Sequence, residues 1–69
     1  MSIAKVIEIS ANSDKSFEDA IQQGITHANQ TVQDIQGAWV KEFKVDIKDG
    51  RIADFRVIMK VTFILHDKV

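Results

Sequence analysis

Two side chains of this sequence have the chemistry of a binding site. Arg56 carries a planar fork of donors that suits a phosphate or a carboxylate. The alternative for Arg56 is a salt bridge to an acidic residue such as Glu42 or Asp54, because charged side chains usually pair. Trp39 has a ring on which a flat ligand could stack, and its alternative is an interface or core aromatic beside Phe43. The sequence leaves both alternatives open.

Metal and catalytic chemistry have weaker support. His27 and His66 are isolated along the chain and lack metal-ligand spacing, so both are predicted to be surface or interface residues. Asp46, Asp49 and Asp54 could hold a divalent cation where symmetry copies meet, although solvated turn carboxylates are commoner. No catalytic triad, glycine-rich phosphate loop or paired acid and base can be found. We therefore predict neither a catalytic residue nor a metal site, and no enzyme.

Composition narrows the class further. The 69 residues, with a formal net charge of −1 and no cysteine, are predicted to form a single domain over 1–69 with no disulfide and no thiolate metal site. A net charge this close to zero does not favour binding to nucleic acid or to an anionic membrane. No apolar run has the length of a signal peptide or a membrane span. The sequence predicts a cytoplasmic protein.

The last strand is the strongest structural signal. From Arg51 to Leu65 apolar residues recur at every odd position after the first, which is the period of a half-buried strand. At about 3.3 Å per residue this strand would run roughly 45–50 Å, and one short helix cannot cover it. The opposite face also carries Ile52, Ile58 and Ile64, which indicates a second contact surface. We therefore predict a homo-oligomer.

The remaining elements follow from shorter patterns. Residues 3–10 predict a first strand, and residues 11–16 predict a polar loop. Ser16 is the predicted N-cap of a helix from Phe17 to about Val32. Within it Gly24 predicts a close approach of the helix backbone to a sheet.

The second half of the chain is predicted to form a hairpin. Residues 34–37 are predicted to be a short connection, and a second alternating strand follows from Ala38 to Lys48. Asp49 and Gly50 give the hairpin signal that joins this strand to the last one. The alternation assigns one face of the second strand to the following residues: Trp39, Phe43, Val45 and Ile47.

The element order is β-α-β-β, so the predicted fold class is α+β. A helical crossover favours parallel flanking strands, and the tight turn makes the last two strands antiparallel. The simplest arrangement is a three-stranded antiparallel sheet with the last strand in the middle and one helix on the apolar face.

The whole chain resembles the dodecins, which are small flavin-binding proteins. The resemblance lies in four segments: Lys5-Val6-Ile7-Glu8-Ile9, Ser16-Phe17-Glu18-Asp19-Ala20-Ile21, Ala28-Asn29-Gln30-Thr31-Val32, and Phe55-Arg56-Val57-Ile58-Met59-Lys60-Val61-Thr62-Phe63. What the resemblance implies is a β-α-β-β subunit that assembles into a hollow dodecamer. It also implies stacked flavins near the three-fold axes (FMN or riboflavin), with other ligands such as coenzyme A in some members.

The resemblance also assigns the candidate cofactor-binding residues. The position of the flavin-stacking tryptophan falls on Gly37, and Trp39 lies two residues further, on the same strand face and displaced by about 7 Å. The position of the ring-binding glutamine falls on Arg56, which donates but does not accept. We therefore expect a small-ligand binding and storage protein in which flavin binding is weakened or lost. The alternatives are a non-flavin shell that binds anions or divalent cations, a purely structural assembly, and a subunit that docks on unrelated partners through its strand edges.

Overall fold

The computed structural model describes residues 3–65, so His66 and the tail 67–69 lie outside the described residues. The elements are β1 (Ile3–Ser13), α1 (Phe17–Ala28), β2 (Ile35–Lys48) and β3 (Arg51–Leu65). The three strands form one sheet in the order β1-β3-β2, and both pairings are antiparallel. The predicted fold class and the central position of β3 are confirmed.

The core lies between α1 and the odd-numbered face of β3. Val57, Met59 and Val61 are fully buried, as is Ala20 of the helix. Because β3 is the central strand, its odd positions are covered by neighbours on both sides as well as by α1, which packs over β1 and β3. The face of β3 that the alternation predicted to be apolar is therefore the buried face.

A polar network fixes the start of the helix. Ser16 is the N-cap, as predicted, and its Oγ accepts a hydrogen bond from the Asp19 N–H at 2.9 Å. The Asp19 carboxylate accepts from the Ser13 hydroxyl at 2.5 Å and from the Gln23 amide at 2.6 Å. These bonds, with that from Ser13 the larger cause, lower the pKa of Asp19 below its ordinary value of 3.8. The buried Ser13 thus ties the end of β1 to the first turn of α1.

Gly24 is the point of closest approach between helix and sheet. A Cβ at this position would lie 2.7 Å from Met59 Cε and 3.0 Å from Ala11 Cβ. Neither distance is compatible with an unshifted core, because interiors are packed to crystal density. The close approach predicted from the sequence is confirmed.

The hairpin turn also matches its prediction. Asp49 has φ 53° and Gly50 has φ 75°. Positive φ at both central residues defines a type I′ turn, whose twist matches that of the flanking strands. Asp49 tolerates this region because aspartate is one of the few non-glycine residues that visit it.

Three boundaries differ from the predictions. The helix ends at Ala28 rather than near Val32. The residues after Ala28 are polar, and the N–H groups of Gln30 and Thr31 turn back to His27 O and Ala28 O at 3.1 Å. Polar side chains of this kind favour turns over a further helical turn.

Both outer strands are longer than predicted. β1 continues through Ser13, because its pairing with β3 extends as far as Phe55. β2 begins at Ile35, which pairs with Phe63, so residues 35–37 belong to the strand and not to a connection. A polar edge strand gives little hydrophobic signal, and its extent is set by the long central strand on which it pairs.

Candidate functional site

The candidate site lies on the sheet face that points away from α1, which we call the outer face. It carries the even positions of β3 from Asp54 onward and the residues paired with them on β1 and β2. Directly opposite residues of an antiparallel pair share a face, so the register assigns every candidate side chain to one side of the sheet.

Trp39 lies on the outer face, where it is paired with Lys60. The sequence prediction, which placed Trp39 with Phe43 and Val45, is wrong. Val40 pairs with Met59 and Glu42 with Ile58, so Lys41 is an extra residue that forms a β-bulge. A bulge shifts the alternation by one residue. Ala38 and Val40 before Lys41 therefore lie on the same face of the sheet as Phe43 and Val45 after it, and this is the face that α1 covers.

Ile47 keeps the alternation of Phe43 and Val45, as predicted, because the extra residue at this point is Ala53 of β3 and not a residue of β2. Ile47 pairs with Ile52, after a further register shift between Asp46 and Ile47. The two isoleucines form an exposed apolar pair near the hairpin turn, with 59% and 54% of their surfaces accessible.

Gly37 shares the outer face with Trp39, as predicted from their spacing. It pairs with Thr62, and the next residue, Ala38, pairs with Val61. A Cβ at Gly37 would meet nothing within 4 Å. Gly37 therefore leaves open space on the outer face beside Trp39, which is 71% exposed.

The charged groups nearest to Trp39 belong to the same cross-strand row. Lys60 lies in the middle of this row, with Trp39 on one side and Glu8 on the other. The Glu8 carboxylate is paired with Lys41 Nζ at 3.5 Å. Lys60 and Lys41 were not among the residues selected from the sequence, because only the register shows that they lie around the ring.

Arg56 sits in a separate polar cluster on the outer face. Its Nη2 lies 3.3 Å from Asp46 Oδ2 and 3.8 Å from Asp54 Oδ2. Asp54 also accepts a hydrogen bond from the Asn12 amide at 3.0 Å. Asp46 and Asp54 are directly opposite each other, and such like charges repel unless a cation lies between them. Lys44 Nζ adds a second positive charge 3.6 Å from Asp46 Oδ1.

The salt-bridge alternative for Arg56 is therefore present, with Asp54 as one of the partners expected and Asp46 as one that sequence reasoning missed. Glu42, the other expected partner, pairs in register with Ile58. Arg56 lies four residues from Lys60 on β3, or about 13 Å at 3.3 Å per residue. Gly37 and Trp39 are thus brought together, but one subunit does not bring Arg56 to them.

The structure gives the other sequence candidates no shared site. Among residues 3–65 no group of three or more His, Asp or Glu side chains could hold a metal ion. His27 is exposed and lines a groove of about 390 Å³ between α1 and β1, on which Gln23, Gly24 and Asn12 also lie. No helix within the described range is long and apolar enough to cross a membrane.

The shape of the subunit explains why its surfaces need a partner. The Cα radius of gyration is 14.4 Å, whereas about 11 Å is typical of a compact domain of this length. Phe43 packs edge-on against Phe17, with ring centroids 4.9 Å apart, yet it remains 59% exposed. Val6 of the outer face is exposed as well. An elongated sheet with exposed apolar groups on both faces defines a class of small subunits that are built to associate.

Comparison with known proteins places the chain in this class. The sequence profile of the dodecin family matches residues 3–66, so the chain belongs to the dodecin family. The structure is similar to a dodecin from Streptomyces davaonensis, with 33% identity, coverage of 96% of this chain and 97% of that one, and a TM-score of 0.91. A Thermus thermophilus protein, 25% identical, covers 99% and 100% of the two chains with a TM-score of 0.93.

A third similar structure carries a metal in its name. It is calcium dodecin from Mycobacterium tuberculosis, described as having a novel calcium-binding site, with 28% identity, coverage of 99% and 97%, and a TM-score of 0.82. No curated protein sequence matches the chain. Dodecins form homo-oligomers and bind small ligands. The predicted family membership is thereby confirmed.

Proposed function

We propose that the chain is the subunit of a homo-oligomeric, most simply dodecameric, shell that binds and stores a small aromatic ligand on the outer face of its sheets. One observation carries this proposal: the chain's single tryptophan is 71% exposed on the outer face, beside the open space at Gly37. An exposed aromatic on a strand is an unfavourable surface for a monomer, but it is a suitable platform for stacking.

A flavin, FMN or riboflavin, is the ligand that we propose, and we expect its affinity to be reduced. Gly37 has no ring of its own, and ring-on-aromatic stacking contributes about 1–3 kcal/mol. Arg56 cannot accept from an imide N–H, and it is already engaged by Asp46 and Asp54. A buried donor left unpaired costs about 1–3 kcal/mol. Together these losses correspond to about two to four orders of magnitude in affinity.

The test combines the solution mass of the purified protein with its absorbance spectrum and a fluorescence titration with riboflavin and FMN. We expect an oligomer that takes up flavin with micromolar or weaker affinity. Submicromolar binding would contradict the reduced affinity, and a folded monomer at micromolar concentration would contradict the shell. The cytoplasmic location predicted from the sequence stays a prediction.

A shell that binds ions is the second candidate. It is supported by the name of the mycobacterial calcium dodecin and by the opposed carboxylates of Asp46 and Asp54, with the Asn12 amide beside them. Calcium prefers six to eight oxygen ligands, which would have to come from several copies of this cluster. Isothermal titration with Ca²⁺ distinguishes the two candidates. A heat of Ca²⁺ binding that disappears in Asp54→Asn, in a protein that takes up no flavin, would favour the ion-binding shell.

A further inference from the structure

The charged side chains around Trp39 on the outer face are Lys60 and Glu8 in its row, with Lys41 and Glu42 beside them. Glu8 lies opposite Lys60, but its carboxylate is paired with Lys41 Nζ at 3.5 Å. Lys60 is half-buried on the central strand and makes no ion pair with another residue of the range 3–65. An ammonium without a counter-ion in the subunit has the capacity to take an anion at this position.

The position of Lys60 relates this charge to the stacking surface. Directly opposed side chains of an antiparallel pair have Cβ atoms about 4.5–5.5 Å apart, and Lys60 is directly opposed to Trp39. The ammonium can therefore reach an anionic group on a ring that stacks against Trp39. Thr62, the next residue on this face of β3, lies opposite Gly37 and adds a hydroxyl donor and acceptor.

Arg56 is less suited to this role. Two carboxylates already surround its guanidinium, and it is four residues away along β3, or about 13 Å. The charge that Arg56 presents is largely neutralised where it lies, whereas that of Lys60 is not.

We infer that the site around Trp39 selects a planar aromatic ring that carries an anionic group such as a phosphate, and that Lys60 is the residue that sets this preference. The inference rests on the proposed function and adds the chemical class of the ligand. The charge of Lys41 is offset by Glu8, so Lys41 does not carry the selectivity.

The experiment compares FMN with riboflavin, because both contain the same ring and only FMN carries a phosphate. We expect the unmodified oligomer to bind FMN about tenfold more tightly at low salt, which corresponds to about 1.4 kcal/mol. The preference should shrink as salt is added, because an exposed ion pair is screened. Lys60→Gln should abolish the preference by weakening FMN, while riboflavin affinity stays within about threefold.

Lys44→Gln is the matched control. Lys44 is also an outer-face lysine, but it opposes Arg56 and is paired with Asp46 at 3.6 Å. It should leave the ratio of FMN to riboflavin affinity unchanged. If Lys60→Gln fails to assemble, Lys60→Arg keeps the positive charge and should keep the preference, and Lys60→Met tests its loss without a polar group at the interface.

The outcomes separate this inference from the proposed function. Equal affinities for FMN and riboflavin, or a preference that survives Lys60→Gln, would overturn the inference and leave flavin binding intact. If neither flavin binds, AMP and adenosine provide a second matched pair. An AMP preference that Lys60→Gln removes would support the inference and overturn the flavin proposal, and failure of both pairs to bind would overturn both.

Discussion

Replacing Gly37 by tryptophan should restore flavin stacking. A Cβ at Gly37 meets nothing within 4 Å, and its backbone is not in the left-handed region, which Gly50 alone adopts among the described glycines. A Cβ can therefore be added at this exposed position without a clash and without backbone strain. Stacking of about 1–3 kcal/mol predicts a gain in riboflavin affinity of about 5- to 100-fold, at about 1.4 kcal/mol per decade.

The assay is the quenching of riboflavin fluorescence by the oligomer. Riboflavin has no phosphate, so the result does not depend on Lys60. Gly37→Leu is the control, because it adds an apolar side chain at the same position without a flat ring. Mass measurements on both variants establish that the shell is intact.

Two results would refute the reasoning. One is an intact Gly37→Trp oligomer with unchanged riboflavin affinity, and the other is an equal gain from Gly37→Leu. Arg56, which occupies the position of the ring-binding glutamine, has to be replaced together with a neighbouring carboxylate. Arg56→Gln alone would leave Asp46 and Asp54 opposed without their cation. We expect Arg56→Gln combined with Asp46→Asn to avoid that repulsion and to add to the gain from Gly37→Trp.

Four further changes test the fold. Val61→Asp places a charge at a fully buried position and should abolish folding and assembly together; a soluble oligomer would show that the buried face is misassigned. Gly50→Val forces a β-branched residue to φ 75° and should lower the free energy of unfolding by about 1 kcal/mol or more; unchanged thermal stability would argue against the type I′ turn. Gly24→Ala should gain about 1 kcal/mol of helix propensity and lose about 1–3 kcal/mol to overpacking, so a clear rise in melting temperature would contradict the close approach. Because the pKa of Asp19 is lowered in the folded state, its ionised carboxylate stabilises the fold fully above the unfolded pKa, here 3.8, and this stabilisation is lost as pH falls through the folded pKa. Ser13→Ala should weaken this acid dependence of the unfolding free energy. An unaltered dependence on pH would show that the Ser13 hydrogen bond is not its cause.

Much of the fold could be predicted because its signals are local. Period 2 in β3 identifies the buried face, and Asp49-Gly50 identifies the turn. Ser16 identifies the helix start, because a hydroxyl before an acidic first turn satisfies free N–H groups there. The extents of β1 and β2 could not be read, because pairing with a long central strand determines where those strands begin and end.

The site was predicted less completely, for one physical reason. Lys41 is an extra residue in the β2–β3 pairing, and no local pattern separates a bulge from a regular strand. The prediction therefore carried one alternation through the whole strand and placed Trp39 on the face of Phe43 and Val45. The apolar Ala38 and Val40 before the bulge and Phe43 and Val45 after it are the signal of the change in phase. The lysines around Trp39 and the Asp46 partner of Arg56 depend on register and were missed with it.

The fluorescence of Trp39 tests the central claim most directly, because it is the chain's single tryptophan. The claim is that an aromatic ligand stacks on this ring within the homo-oligomer. We predict that FMN added to the oligomer quenches tryptophan emission saturably, with the same midpoint as the quenching of flavin fluorescence. Flavin uptake that leaves Trp39 emission unchanged would place the ligand elsewhere and contradict the claim.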